Sequence, residues 1–394
     1  MPIKTKQQNK KIPRLRFPEF SGEWEEKRLG EVCEIRGGKR IPKGYSLQEE
    51  NNGHPYITVS DMQNDTVDIT NIKYVPIEVL NKIKKYTIST KDIFVSVAGT
   101  LGIVGIIPKE LEGANLTENA DKLTNIKCNQ FYLLHYLKSG KFLRLVNSVK
   151  TENAQPKLAI YALKNFKIFI PSLPEQQKIA SFLNAVDERI GVLRKKREAL
   201  TKYKKSIMQK IFSQEIRFED DNGKDFPEWK EKRLGEVCKK ESSNISVKAL
   251  ENNIGDYKIY GANGVFKKVD FYQQEEGYIS IVKDGAGVGR VFFCEPKTSV
   301  LGTLDIIKPK NQINLFFLYL LLQRIKFIKY VTGSTIPHIY FKDYSKLKIK
   351  IPPLPEQQKI ANFLFAIDKK IELVGAQIQK MQEWKRGLMQ GLFV

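Results

Sequence analysis

Two stretches of the chain carry a sustained seven-residue apolar pattern. In the first, alternating steps of four and three pick out Ile179, Leu183, Val186, Ile190, Leu193, Arg197, Leu200, Lys204, Ile207 and Ile211. The same steps, 181 positions on, give Ile360, Leu364, Ile367, Ile371, Val374, Ile378, Met381, Lys385, Leu388 and Leu392. A spacing of this kind over more than four heptads predicts a coiled-coil seam rather than an ordinary amphipathic helix. Each stretch opens on nearly the same words, LPEQQKIASFLNAVDERI from Leu173 and LPEQQKIANFLFAIDKKI from Leu354. Pro174 and Pro355 are expected just before the first turn, where a missing N–H leaves nothing unpaired. Glu175 and Glu356 follow at the positive end of the helix dipole. At about 1.5 Å per residue, the 38 residues from Glu175 make a rod of roughly 57 Å.

Two such closely repeated helices are expected to pack on each other about a pseudo-two-fold axis. A parallel, in-register pair would bring Lys204 against Lys385, two like charges in a drying seam. An antiparallel pair, with position numbers adding to about 571, sets Lys204 near Ile367 and Lys385 near Val186. The aliphatic stems then lie along apolar neighbours while the ammonium groups reach water. The antiparallel arrangement is therefore expected, with globular segments at opposite ends. Phe182 and Phe363 fall off the seam and are expected to face outward.

A second repeat precedes each globular segment: EWEEKRLGEVC from Glu23 to Cys33, and EWKEKRLGEVC from Glu228 to Cys238. Arg16-Phe17-Pro18 likewise matches Arg217-Phe218, with Phe226-Pro227. Between these blocks and the rods the similarity fades. Ser96, Gly105 and Asp121 match Ser280, Gly289 and Asp305 at an offset of 184, and the first globe is about 24 residues longer. Strand-like runs at Tyr56–Val59, Ile93–Val97, Ile279–Val282 and Arg290–Phe293, with buried helices at Phe131–Leu137 and Leu315–Leu321, make each globe mixed. The fold class is α+β: two tandem mixed α/β globes and two long helices, conserved between the repeats, forming an antiparallel coiled coil. The boundaries are a basic tail (1–16), a first globe (17–172), a first rod (173–213), a linker (214–232), a second globe (233–353) and a second rod (354–394).

The net charge of +22 and pI of about 9.6 point to a polyanion, either nucleic acid or an acidic membrane surface. Lys outnumbers Arg by 52 to 14, so a general lysine bias accounts for part of this. The first 16 residues are basic, with Lys4, Lys6, Lys10, Lys11, Arg14 and Arg16, and carry no apolar signal core. The longest apolar run, Leu315–Leu322, is far below the roughly 20 residues of a membrane span. Four cysteines without CxxC spacing point to a reducing cytoplasm, and Cys33 and Cys238, at matching positions, to small buried residues.

Catalytic signatures are missing. There is no NPPY- or DPPY-type tetrapeptide, no phosphate-loop motif, and no metal-ligand spacing among His54, His135 and His338. The glycine series Gly285, Gly287, Gly289 lacks dinucleotide-binding spacing, and Asp225, Glu228 and Lys230 make only a faint nuclease-like cluster. Recognition without catalysis is the better reading. If the polyanion is duplex DNA, its recognition needs phosphate anchors and base-edge readers. In the first globe the candidates are the loop of Arg36, Gly37, Gly38, Lys39 and Arg40, the turn at Thr100, and Gln155 with Lys157. In the second they are Asn263, of an adenine-reading type, Lys283, Ser334, Thr335 and His338. The basic run Arg194–Arg197 with Lys202, Lys204 and Lys205 is either a solvated helix face or a DNA track.

The doubled LPEQQKIA helix start, the doubled W-x-E-K-R-L-G-E block and the paired globes together resemble the specificity subunit of a type I DNA restriction-modification system, over nearly the whole chain. The resemblance implies that each globe is a target recognition domain reading one half of a split double-stranded DNA sequence. It implies that the helix pair fixes the gap and docks two modification subunits, with Phe182 and Phe363 as candidate contacts. Those subunits would methylate adenine with S-adenosylmethionine, and two restriction subunits would use ATP and Mg to translocate and cleave DNA, leaving no cofactor in this chain. Two other classes stay in view: a self-sufficient methyltransferase or nuclease, and a coiled-coil scaffold joining two protein-binding domains.

Overall fold

The computed structural model describes residues 11–63, 65–150 and 156–394. Its internal contacts divide the chain into two units. One runs to Arg194 and takes in Ala376–Val394; the other is Lys195–Gly375. Each unit holds one globe, the start of one long helix and the end of the other.

The first unit is built on a four-stranded antiparallel sheet in the order Glu34–Gly37, Ala120–Thr124, Ile93–Ser96, Val104–Gly105. The second repeats that order with Cys238–Ser242, Leu304–Pro309, Tyr278–Val282 and Val291–Cys294. Ile93, Phe94 and Val95, and Ile279, Ile281 and Val282, are fully buried, which is why these runs read as apolar rather than alternating. The helix Gln130–Leu137 packs into the core of the first unit and Leu315–Gln323 into that of the second. A smaller three-stranded sheet accompanies each: Lys73–Tyr74, Pro55–Ile57, Asn115–Leu116, and Gly264–Val269, Tyr257–Gly261, Ser299–Val300. Each small sheet has its own satellite core, around Ile57, Ile88 and Leu116 in the first unit and around Ile259, Val269 and Val300 in the second, and the first unit adds a core around Tyr56, Val79 and Ile83.

The repeated W-x-E-K-R-L-G-E block has a local explanation. Glu25–Arg28 pairs with Lys167–Ile170, and Lys230–Arg233 with Lys348–Ile351, each strand closing its globe beside the long helix that follows. One turn of helix comes next in each copy. The Glu31 carboxylate accepts the Arg28 N–H at 2.6 Å, and Glu236 that of Arg233 at 2.8 Å. Cys33 and Cys238 are buried, each thiol donating to a carbonyl at 3.3 Å, and burial pushes both up to about 12. They are structural residues.

The long helices are Leu173–Phe212 and Leu354–Leu392, so Pro174 and Pro355 lie inside the first turn rather than before it. Ile179, Leu183, Val186, Ile190 and Leu193 are buried, as are Ile360, Leu364, Ile367 and Val374, while Ile371 is partly buried against the same core. The pair is antiparallel. In the first unit Lys385 meets Asp187 at 2.5 Å; in the second Lys204 meets Asp368 at 2.6 Å. Both pairs fall where position numbers add to 572, against the 571 expected. The lysine stems do lie in the seam, but their ammonium groups end on carboxylates instead of in water.

The LPEQQ words are explained by what the two polar residues bury. Glu175 is 1% exposed and accepts from Arg16 Nε and Nη2, both at 2.8 Å, and from Trp24 Nε1 at 3.3 Å. Glu356 is fully buried and accepts from Arg217 Nε at 3.1 Å, its Nη2 at 2.8 Å and Trp229 Nε1 at 3.1 Å. Gln176 accepts the Asn129 N–H at 2.8 Å and donates to the Pro171 carbonyl at 2.8 Å. Gln357 does the same with Asn314 at 2.9 Å and Pro352 at 2.9 Å. Asn129 and Asn314 are themselves the N-caps of the buried helices, accepting from Tyr132 and Phe317. Each long helix thus starts by fixing its preceding globe at two points. The opposite ends are apolar plugs: Phe393 packs on Tyr132 and Tyr136, and Phe212 on Trp229 and Phe317.

Phe182 and Phe363 do not face outward as free docking points. Phe182 stacks edge-on with Phe17 and Trp384, and Phe363 with Phe218, because the segments before each globe lie over them. Among the described residues no helix is long and apolar enough to cross a membrane.

Candidate nucleic-acid interface

In the first unit the Arg36–Arg40 segment departs from the expected phosphate loop. Arg36 and Gly37 end a strand, and the N–H groups of Gly38 and Lys39 already donate to the carbonyls of Ala120 and Leu116, at 3.0 and 2.8 Å. A Cβ on Gly38 would stand 2.0 Å from the Thr117 carbonyl oxygen, so this glycine serves backbone packing. Arg36 is paired with Glu34 and Arg40 with Glu118, each at 2.5 Å, and both arginines are exposed. Lys39 lies 5.9 Å over the Tyr86 ring. Thr100 is exposed in a turn after Gly99 (φ +74°), and Lys157 is exposed where its backbone bridges Ala98. Gln155 lies outside the described residues.

Asp121 is the electrostatic oddity of this unit. It is 3% exposed, its Oδ2 has no partner, and burial raises its carboxyl to about 6 against a small opposing pull from Lys157. The matching Asp305 is as buried but has Lys283 Nζ at 3.4 Å, Lys240 Nζ at 3.8 Å and the Ser242 hydroxyl at 3.5 Å. By strand register those three positions are Val97, Ile35 and Gly37 in the first unit. The same carboxylate was kept and its partners were not.

In the second unit three loops converge. The Gly285 N–H donates to the Pro337 carbonyl at 2.9 Å, and Thr332 and His338 exchange backbone hydrogen bonds at 2.8 Å, closing a turn with Ser334 and Thr335 exposed at its tip. His338 Nδ1 is 2.7 Å from Asp284 Oδ1. The hairpin tip Ala262-Asn263-Gly264 leans on the Gly285–Arg290 loop, with Arg290 Nη1 donating to the Ala262 carbonyl at 3.1 Å and to Asn263 Oδ1. Two candidates have protein partners here. Lys283 Nζ lies 3.4 Å from Asp305. Asn263 Oδ1 accepts from Arg290, which orients the amide and leaves one oxygen lone pair and the NH2 for other partners. Arg290, which is not among the candidates read from the sequence, stands where these two loops meet. On the rods, Arg194, Lys195, Lys196 and Arg197 are exposed, and Lys202 is paired with Glu198 at 2.7 Å.

Among the described residues no group of three or more His, Cys, Asp and Glu is placed to hold a metal ion. His135 is 1% exposed, bonded to Asn184 at 2.8 Å, and burial pulls it down to about 4, so it is a neutral core residue.

This architecture, two similar units with different exposed loops on one antiparallel helix pair, defines a two-module recognition protein. The family model for the type I restriction modification DNA specificity domain matches it twice, over residues 21–202 and 227–383. The MjaX type I restriction enzyme specificity subunit of Methanocaldococcus jannaschii is 28% identical, over 94% of this chain and 93% of its own. The MjaVIII specificity subunit of the same organism is 26% identical over 96% and 93%. A crystal structure of the type I S subunit from M. genitalium shares the fold with a TM-score of 0.64 at 18% identity, covering 97% of this chain and 99% of that one. The chain belongs to the type I restriction-modification DNA specificity family.

Proposed function

We propose that this chain is the DNA-reading subunit of a type I restriction-modification complex, in which each unit reads one half of a split double-stranded target. The observation that carries this is the contrast between frame and loops. The Arg–Glu–Trp cluster, the Gln-to-Asn cap contact and the sheet order are repeated in both units, whereas the exposed loops differ in every candidate contact. A frame held constant around two divergent loop sets suits a protein that must present two different half-sites to one kind of partner.

Partner docking falls to the rods. Large apolar residues are exposed at matching positions on both: Leu173 and Leu354, Val192 and Leu373, Tyr203 and Trp384. A surface that occurs twice suits two copies of one subunit, here two modification subunits, with two restriction subunits completing the assembly. S-adenosylmethionine serves the modification subunits and ATP with Mg the restriction subunits, and the complex works in the cytoplasm. This chain supplies specificity and no catalytic group.

The test is co-expression with a type I modification subunit followed by sequencing of methylated adenines. A split motif with a fixed gap, present only with this chain, is the expected result. Exchanging one globe should alter one half of the motif. Inserting seven residues into each rod should widen the gap by about three base pairs, since seven helical residues add about 10 Å. If a competent modification subunit forms no complex with the chain, the scaffold reading replaces this one.

A further inference from the structure

Arg290 differs from the other arginines near the candidate loops. Arg36 and Arg40 are each engaged by a carboxylate. Arg290 is exposed, and among the described residues its partners are two neutral oxygens, the Ala262 carbonyl and Asn263 Oδ1, both on Nη1. A guanidinium has five donors and no acceptor. Two N–H groups of Nη1 are therefore spent on orienting the side chain, and Nε and Nη2 keep theirs without an acceptor among the described residues. Because the guanidinium can only donate, the Asn263 oxygen must be the amide atom that faces it, which leaves the Asn263 NH2 outward as a donor.

The glycine series builds the seat for this side chain. Gly285 (φ +87°) and Gly289 (φ +85°) turn the loop, while a Cβ on Gly287 would stand 3.2 Å from the Ala262 side chain. The loop is closed by Gly289 N–H to the Val282 carbonyl at 2.8 Å and Val282 N–H to the Arg290 carbonyl at 2.9 Å. Arg290 so stands immediately before the strand Val291–Cys294, on a rigid element. A guanidinium fixed through one nitrogen, with an adjacent pair of donors free, matches the O6 and N7 acceptors of guanine in the major groove.

Resting on the function proposed above, we infer that Arg290 reads a guanine in the half-site bound by the second unit, with Asn263 as its positioning residue. The experiment compares methylated-adenine motifs from complexes containing wild-type chain, Arg290→Ala, Arg290→Lys and Asn263→Ala. One half of the wild-type motif is expected to hold a guanine whose discrimination falls roughly tenfold to hundredfold in both Arg290 variants. Asn263→Ala should weaken the same position by less, and the other half-site should stay unchanged, which also reports that the variants fold. A uniform loss across sequences with the guanine preference intact would mark a phosphate contact and overturn the assignment. Should Arg290→Ala abolish methylation, binding of the wild-type complex to duplexes carrying 7-deazaguanine decides. Removing N7 must weaken binding about tenfold at one guanine, and indifference at every guanine overturns the assignment. A wild-type complex that gives no chain-dependent motif refutes the proposed function; a motif indifferent to Arg290 refutes this assignment alone.

Discussion

Replacing Asp121 with Asn should stabilise the first unit at neutral pH and flatten part of its pH dependence. Burial raises this carboxyl from 3.8 to about 6, and its Oδ2 has no partner. A folded-state pKa above the unfolded one means the contribution is fully present below about 4 and is lost as pH rises through about 6. A rise of that size is worth about 3 kcal/mol, the upper limit of what removing the charge can recover at pH 8. Asn brings an amide that also needs partners, so the expected gain is about 1–2 kcal/mol. The assay is urea denaturation of both proteins between pH 4.5 and 8, followed with a probe in the first unit. His135, pulled down to about 4, contributes a slope of opposite sign, with stability present above about 6.5 and lost as pH falls through about 4. That slope is common to both proteins, so the difference between them isolates Asp121. Gly37→Ser, which copies the Ser242 hydroxyl beside Asp305, should recover part of the same gain. Parallel pH profiles for wild type and Asp121→Asn, with no gain at pH 8, would refute the reasoning.

Two further outcomes follow from the frame. Glu356→Ala removes the acceptor of Arg217 and Trp229 and should cost the second unit about 2–3 kcal/mol in chemical denaturation, because the buried Trp229 N–H is left unpaired and the partly buried Arg217 loses its carboxylate; Glu356→Gln should cost less. Phe393→Ala should destabilise the first unit by about 3 kcal/mol, since the ring fills the space between Tyr132 and Tyr136, and hydrogen exchange at Gln130–Leu137 should rise accordingly.

How much of this was legible in the sequence depended on the range of the interaction. The rods and their antiparallel sense come from periodicity and repetition, which are local signals multiplied over many residues. A seam lysine in each helix was enough to choose the direction, because charge repulsion and register are both functions of position number. The identities of Glu175 and Gln176 were visible as repeated words, but their use was not. Only the tertiary structure brings Arg16 and Trp24 to Glu175 from about 150 residues away. The same is true of Phe182 and Phe363, which read as outward on a lone helix and are covered by segments from elsewhere in the chain.

Charge and glycine content pointed to loops that meet a polyanion, and sequence alone stopped there. Whether Arg36, Arg40 and Lys283 are free or paired depends on Glu34, Glu118 and Asp305, and for Arg40 and Lys283 the partner is brought in by a distant strand or loop. The difference between Asp121 and Asp305 is of the same kind: identical residues at matching positions, told apart only by three side chains contributed from two other segments. Sequence determined the frame because the frame repeats. Tertiary structure decided the surface chemistry, because a side chain's free valences are whatever its neighbours leave it.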